Sequence, residues 1–148
     1  MNRPAGTVTF LFTDIEGSTA RWESNAESMR SALADHDDVL RAAIESRNGW
    51  VFKHTGDGVC AAFATPGSVV DAAIGAQREL GLPVRMGIAT GEAEPRGDDY
   101  FGPVLNRVAR VMAAGHGGQI LMAESGPETD IPRGPTVAFG TAEAVVRW

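Results

Sequence analysis

The order of patterned segments predicts an α+β fold: a ferredoxin-like split βαβ core, β-α-β-β-α-β, extended by an αβ unit and a C-terminal hairpin. Three observations predict it. Strand-like and helix-like segments alternate along the chain. A hairpin signal, "WVFKHTGDGVCAAFA", interrupts that alternation near the middle. The length, 148 residues, suits a single domain with a sizeable core.

Each element has its own signature. Thr7 to Thr13 is β-branched and aromatic, as a first strand should be. From about Thr19 to Ser46 the pattern is helical, with Met29, Leu33, Leu40, Ala43 and Ile44 on one face. "RNG" supplies a stop, and Gly49 suits the left-handed end position. Two short strands then flank the turn "HTGDG". Pro66 to Leu80 is a second helix, with Val70, Ala73, Ile74, Gln77 and Leu80 inward. "LPVRMGIATGEAE" is a third long strand and "PRGDDYFG" a loop. Pro103 to Ala114 is a third helix, and "QILMA" another strand. Beyond Ser125, Pro127, Pro132 and Pro135 make the chain irregular, and "TVAFG" with "AEAVVRW" forms the final hairpin. The whole, 1–148, reads as one domain with an atypical tail, 126–148.

Composition narrows the function. Hydrophobic residues make up 43% and charged residues 22%, with a formal charge of −6. That balance argues against a broad nucleic-acid or acidic-membrane surface, while leaving room for one local anion site. An RNA-binding sheet would need exposed aromatics and basic charge; there is one tyrosine. The one cysteine, Cys60, cannot form an intrachain disulfide and reads as a small buried hydrophobe. No stretch approaches the roughly 20 apolar residues of a spanning helix. The N-terminus lacks a signal-peptide run. A cytoplasmic protein with no membrane insertion is expected.

The chemistry-bearing residues fall into two sets. Asp14 ends the first strand and Asp57 lies in the hairpin turn. A split βαβ sheet brings those two points to one edge. Two carboxylates there, with the backbone carbonyl of Ile15, make an oxygen-rich site for Mg²⁺ or Mn²⁺. Two such ions about 3.5–4 Å apart can clamp an in-line phosphoryl displacement. Gly17, Ser18 and Thr19 open a helix whose free N–H groups can face an anion. The bland alternative makes Asp14 a helix cap and Asp57 a turn former. In the second set, Asn106 and Arg110 are four apart on one helical face, suited to a sugar and a phosphate or simply solvated. Leu105, Val108 and Met112 share a different, apolar face. Lys53 is otherwise an edge-strand charge, and Asp99 a solvated loop acid. His36 reads as a packed helix residue. "HDD" at 36–38 only superficially suggests a metal phosphohydrolase.

The ordered set "FTDIEGST", "KHTGD" and "DYFGPVLNRVAR" resembles the class III nucleotidyl cyclase catalytic domain, the adenylyl and guanylyl cyclase homology domain. "HDDVLRAAIESRNGWVFKHTGDG" and "VRMGIATGE" share the likeness, which covers about residues 6 to 125 and is nearest to the short actinobacterial type. The resemblance implies roles. Asp14 and Asp57 match the metal-binding aspartates and Ile15 the carbonyl ligand. Lys53 matches the purine-selecting lysine and Asp99 its acidic partner. Asn106 matches the ribose-orienting residue and Arg110 the transition-state arginine. It further implies conversion of ATP to 3′,5′-cyclic AMP and pyrophosphate, with two Mg²⁺ or Mn²⁺ ions per site. The sites would be composite in a homodimer, Asp14 and Asp57 from one chain and Lys53, Asp99, Asn106 and Arg110 from the other. The alternative is a weak or inactive cyclase-like module that binds nucleotide or dimerises. Two features depart from the family pattern. The loop "EAEPRGDDYFG" is short. The tail lacks the extended hairpin that brings a basic residue to the terminal phosphates, and neither Arg133 nor Arg147 matches that residue by motif.

Overall fold

The structure, a computed structural model, describes residues 3–123 and the strand 145–147. The elements are β1 (Gly6–Ile15), α1 (Ser18–Ser24), α2 (Ala26–Glu45), β2 (Trp50–His54), β3 (Val59–Phe63), α3 (Pro66–Glu79), β4 (Val84–Arg96), β5 (Asp99–Phe101), α4 (Pro103–Ala113), β6 (Ile120–Met122) and β7 (Val145–Arg147). The strands run in the order β2-β3-β1-β4-β6-β7, with β5 paired to β4. β1 is central, antiparallel to both β3 and β4. β6 lies parallel to β4. This is the α+β, split βαβ arrangement expected from the sequence, with α4 and β6 added.

Alternation along the strands sends side chains to two faces. On one face, Leu11, Ile15, Phe63, Met86 and Ile88 form a closed core with Met29, Leu40 and Ile44 of α2 and Val69 and Ala73 of α3. On the other face, Val8, Phe10, Ala62 and Ala89 pack under Val104, Val108 and Val111 of α4. His36 is only 2% exposed, so it is the packed helix residue expected. Among the described residues no helix is long and apolar enough to cross a membrane.

Four local expectations change. The helix expected from Thr19 to Ser46 is two helices. Asn25 is extended between them, and its side chain accepts from the Ser28 amide to cap α2. An asparagine at that point competes with helical continuation by capping the next helix instead. Gly49 is not the left-handed residue after α2; Asn48 is, at φ 61°. Gly49 is instead kept small by packing, since a Cβ there would lie 2.6 Å from both Ile44 and Phe63. The loop "PRGDDYFG" contains a strand: β5 turns back on β4 through left-handed Gly97. At the C-terminus, β7 runs parallel beside β6. The "TVAFG" half of the expected hairpin lies outside the described residues, as does Arg133.

Candidate active site

The acid end of the site is built by β1 and the β2–β3 turn. Asp14 sits directly opposite Arg85 in the β1–β4 ladder. Arg85 donates from Nε to Asp14 Oδ1 at 2.6 Å and from Nη2 to Oδ2 at 2.5 Å, a bidentate pair. Both side chains are partly exposed, Asp14 at 20% and Arg85 at 27%. The hydrogen bonds to Asp14 hold the Arg85 guanidinium still more firmly protonated than usual, with further attraction from Glu16 and Asp57. Ile15 closes the strand opposite Val84, its side chain buried in the core.

Asp57 reaches this end because of its neighbour. A Cβ on Gly58 would lie 2.2 Å from the Thr13 carbonyl oxygen. Glycine alone lets the turn close on β1 at that point. Val59 N–H then donates to Thr13 Oγ1 at 3.1 Å, fixing the approach. Ser18 Oγ donates to Asp57 Oδ2 at 2.9 Å. Gly17 is left-handed at φ 70° and starts α1 without a side-chain cap. Its seven residues make α1 a short helix. Thr19 is exposed.

The second end is set by an irregularity in β2. Val51 faces Ala61, yet Lys53 faces Cys60, so Phe52 is an extra residue. Strict alternation would put Lys53 on the α2–α3 face. The bulge turns it to the α4 face, as bulges re-aim side chains near sites. There Lys53 Nζ meets Asp99 Oδ2 at 3.0 Å. Asp99 Oδ1 also accepts from the Tyr100 amide at 2.7 Å. That amide, then Lys53, holds the Asp99 carboxyl below its usual range. The hydrogen bond from Asp99 raises Lys53 in turn. Tyr100 anchors β5 by stacking edge-on against Phe10 and Phe52, with centroids 5.2 and 4.9 Å away. Cys60 lies beside Lys53, its thiol pushed up to about 11 chiefly by burial.

The third contribution is α4. Gly87 and Gly91 present no side chains on the β4 face below it. A Cβ on Gly87 would lie 2.6 Å from the Met112 amide nitrogen, and one on Gly91 2.8 Å from Val104. The helix backbone therefore rests directly on the strand. Val104, Val108 and Val111 point down, while Asn106 and Arg110 are exposed. Among the described residues neither side chain has a hydrogen bond or ion pair. Leu105 and Met112 are only partly buried.

The fold thus brings Asp14 to Asp57 through Ser18 and Arg85, and Lys53 to Asp99. It does not join Asn106 or Arg110 to any of these. Among the described residues no three His, Cys, Asp or Glu side chains form a metal cage. Two acids beside a bound guanidinium nevertheless suit a hard cation. Mg²⁺ is commonly held by one or two carboxylates, with waters and substrate phosphates completing the shell. Arg85 was not singled out by sequence reasoning. Its signal was available: it is the one basic residue in "VRMGIA", at a position opposite in register to Asp14.

A family model described as the adenylate and guanylate cyclase catalytic domain matches residues 1–80. An uncharacterized protein of Mycobacterium tuberculosis is 37% identical over 124 residues, covering 81% of this chain and 44% of that protein. The chain therefore spans less than half the length of this curated relative. An adenylate cyclase of Lachancea kluyveri is 32% identical over 154 residues, covering 81% of this chain and 8% of that protein. Among solved structures, an adenylate cyclase from Trypanosoma brucei in its monomeric state superposes with a TM-score of 0.77 at 29% identity. That match covers 82% of this chain and 75% of the other.

Proposed function

The chain belongs to the adenylate and guanylate cyclase catalytic domain family, and from that premise we propose that it is an adenylyl cyclase, converting ATP to 3′,5′-cyclic AMP and pyrophosphate. The observation that carries ATP over GTP is the Lys53–Asp99 pair at 3.0 Å. An ammonium donor beside a carboxylate acceptor complements adenine, whose N1 accepts and whose 6-amino group donates. Guanine presents the reverse, an N1–H and an O6. A mismatched base leaves polar groups unpaired, which is how such sites discriminate strongly.

The other residues take roles suited to their positions. Asp14 and Asp57 hold the divalent ions, two per site, Mg²⁺ or Mn²⁺, with the Ile15 carbonyl as a further ligand. Bound there, such ions acidify the 3′-hydroxyl and neutralise the phosphates. Ser18 keeps Asp57 turned toward that point. Gly17, Ser18 and Thr19 line the phosphate approach. Asn106 orients the ribose. Arg110 supplies fixed positive charge where negative charge grows on the α-phosphate during in-line attack. Because Asn106 and Arg110 stand free on an exposed helix face, they are available to a second copy of the chain. Composite sites in a homodimer use that availability.

The test is cyclic AMP formation from ATP, and cyclic GMP from GTP, with Mn²⁺ across a protein dilution series. Asp14→Ala serves as the blank. Cyclic AMP above the blank, with specific activity falling on dilution, is the expected result. ATP binding without product in concentrated samples would instead identify a nucleotide-binding module without turnover.

A further inference from the structure

The acid end carries its own cation. Asp14 has both carboxylate oxygens engaged by Arg85, and the two residues face one another across paired strands. Every acid around that point is satisfied within the chain. Asp57 accepts from Ser18 at 2.9 Å. Glu16 accepts from the Gly117 amide at 3.1 Å and lies 3.5 Å from His116. Arg85 feels attraction from Asp14, Glu16 and Asp57 together. It is the only basic side chain that contacts Asp14 among the described residues. The pair is neither a surface ion pair, loosened by water and salt, nor a buried one.

We propose that Arg85 is the resident counter-ion of the acid end and sets a charge threshold for loading it. An ion gains Asp14 only by displacing the guanidinium. A monovalent ion replaces one positive charge with one and forfeits two aligned, charge-assisted hydrogen bonds, so it gains nothing. A divalent ion roughly doubles the attraction to Asp14 and reaches Asp57 as well. Arg85 thereby excludes K⁺ and Na⁺, and it weakens divalent binding when no nucleotide is present. The proposal rests on reading Asp14 and Asp57 as a cation site, and adds to it a gatekeeper that sequence reasoning did not single out.

The experiment is Mn²⁺ binding monitored by electron paramagnetic resonance of the free ion, without nucleotide. It compares the unmodified chain, Arg85→Gln, Arg85→Lys and Asp14→Asn, with circular dichroism as the folding check. Arg85→Gln should bind Mn²⁺ about 3- to 10-fold more tightly, the scale of a partly exposed bidentate pair. Arg85→Lys should fall between, because an ammonium cannot hold both oxygens at once. In Arg85→Gln, K⁺ should compete with Mn²⁺ more than tetramethylammonium does at equal ionic strength. In the unmodified chain the two salts should act alike. If Asp14-dependent Mn²⁺ binding is present but no tighter in folded Arg85→Gln, the counter-ion proposal fails alone. If Arg85→Gln does not fold, Arg85→Lys decides by the same criterion. If no chain shows Asp14-dependent binding, the cation-site reading fails, and this proposal with it.

Discussion

The two ends of the candidate site differ in one physical respect. The acid end is saturated: Asp14 is held by Arg85 and Asp57 by Ser18. The exposed face of α4 is vacant of partners: Asn106 and Arg110 meet no side chain among the described residues. Both ends rest on glycine, Gly58 under the turn and Gly87 under the helix. The lesson is that neither end is ready alone. One must surrender internal bonds before it can hold anything; the other has bonds to offer and nothing in its own chain to receive them.

The largest effects should come from breaking each end separately. Asp57→Asn should lower turnover by about 10³-fold or more, and Arg110→Ala by about 10²–10³-fold with little change in KM. Steady-state assays of each variant check this. Mixing the two inactive proteins should restore part of the activity if the ends serve one another across a dimer. Failure of every mixture would confine both ends to a single chain.

Next come the glycine supports. Gly58→Ala forces a methyl to within 2.2 Å of the Thr13 carbonyl. It should cost about 1–3 kcal/mol of stability and weaken Mn²⁺ binding by displacing Asp57. Gly87→Ala should cost about as much, through Met112, and leave nucleotide-free Mn²⁺ binding unchanged. Chemical denaturation and metal titration together separate these outcomes.

A smaller effect is expected from the Lys53–Asp99 pair, which is exposed at 51% and 39%. Screening limits it to about 1 kcal/mol or less. Asp99 is held below its ordinary 3.8, so its contribution is present above that value and fades as pH falls through the lowered one. Lys53 is held above its ordinary 10.5, so its contribution persists below that value and fades as pH rises through the raised one. The pair should be flat across neutral pH, and Asp99→Asn should soften only the acid limb of a melting-temperature profile. The smallest signal is Cys60. A thiol pushed to about 11 should alkylate with iodoacetamide at about pH 7.5 far more slowly than a free cysteine, by mass spectrometry.

Much of this was legible in the sequence because period and turn chemistry are local. Thr7–Thr13, the hairpin around "HTGDG" and the amphipathic "PVLNRVARVM" announce themselves without knowledge of the fold. The misses are all cases where a contact beyond the local pattern decides. Asn25 divides a continuous helical pattern because its side chain caps α2. Gly49 is small for Phe63 rather than for its own φ, and Asn48 takes the left-handed place. Arg85 became meaningful only once the β1–β4 register set it opposite Asp14. The juxtaposition of Lys53 with Asp99 came from family likeness. Its physical cause, the extra residue at Phe52, leaves no mark in a pattern of strand-like residues.

That irregularity at Phe52 has an evolutionary corollary. Removing one residue from β2 would rotate Lys53 through the sheet to the opposite side while leaving net charge and every other side chain intact. Substitutions can only retune the basic group where it stands. A single-codon deletion would take it away altogether, so lineages that abandon base discrimination have a route through length rather than identity, one that alignment by residue type would overlook.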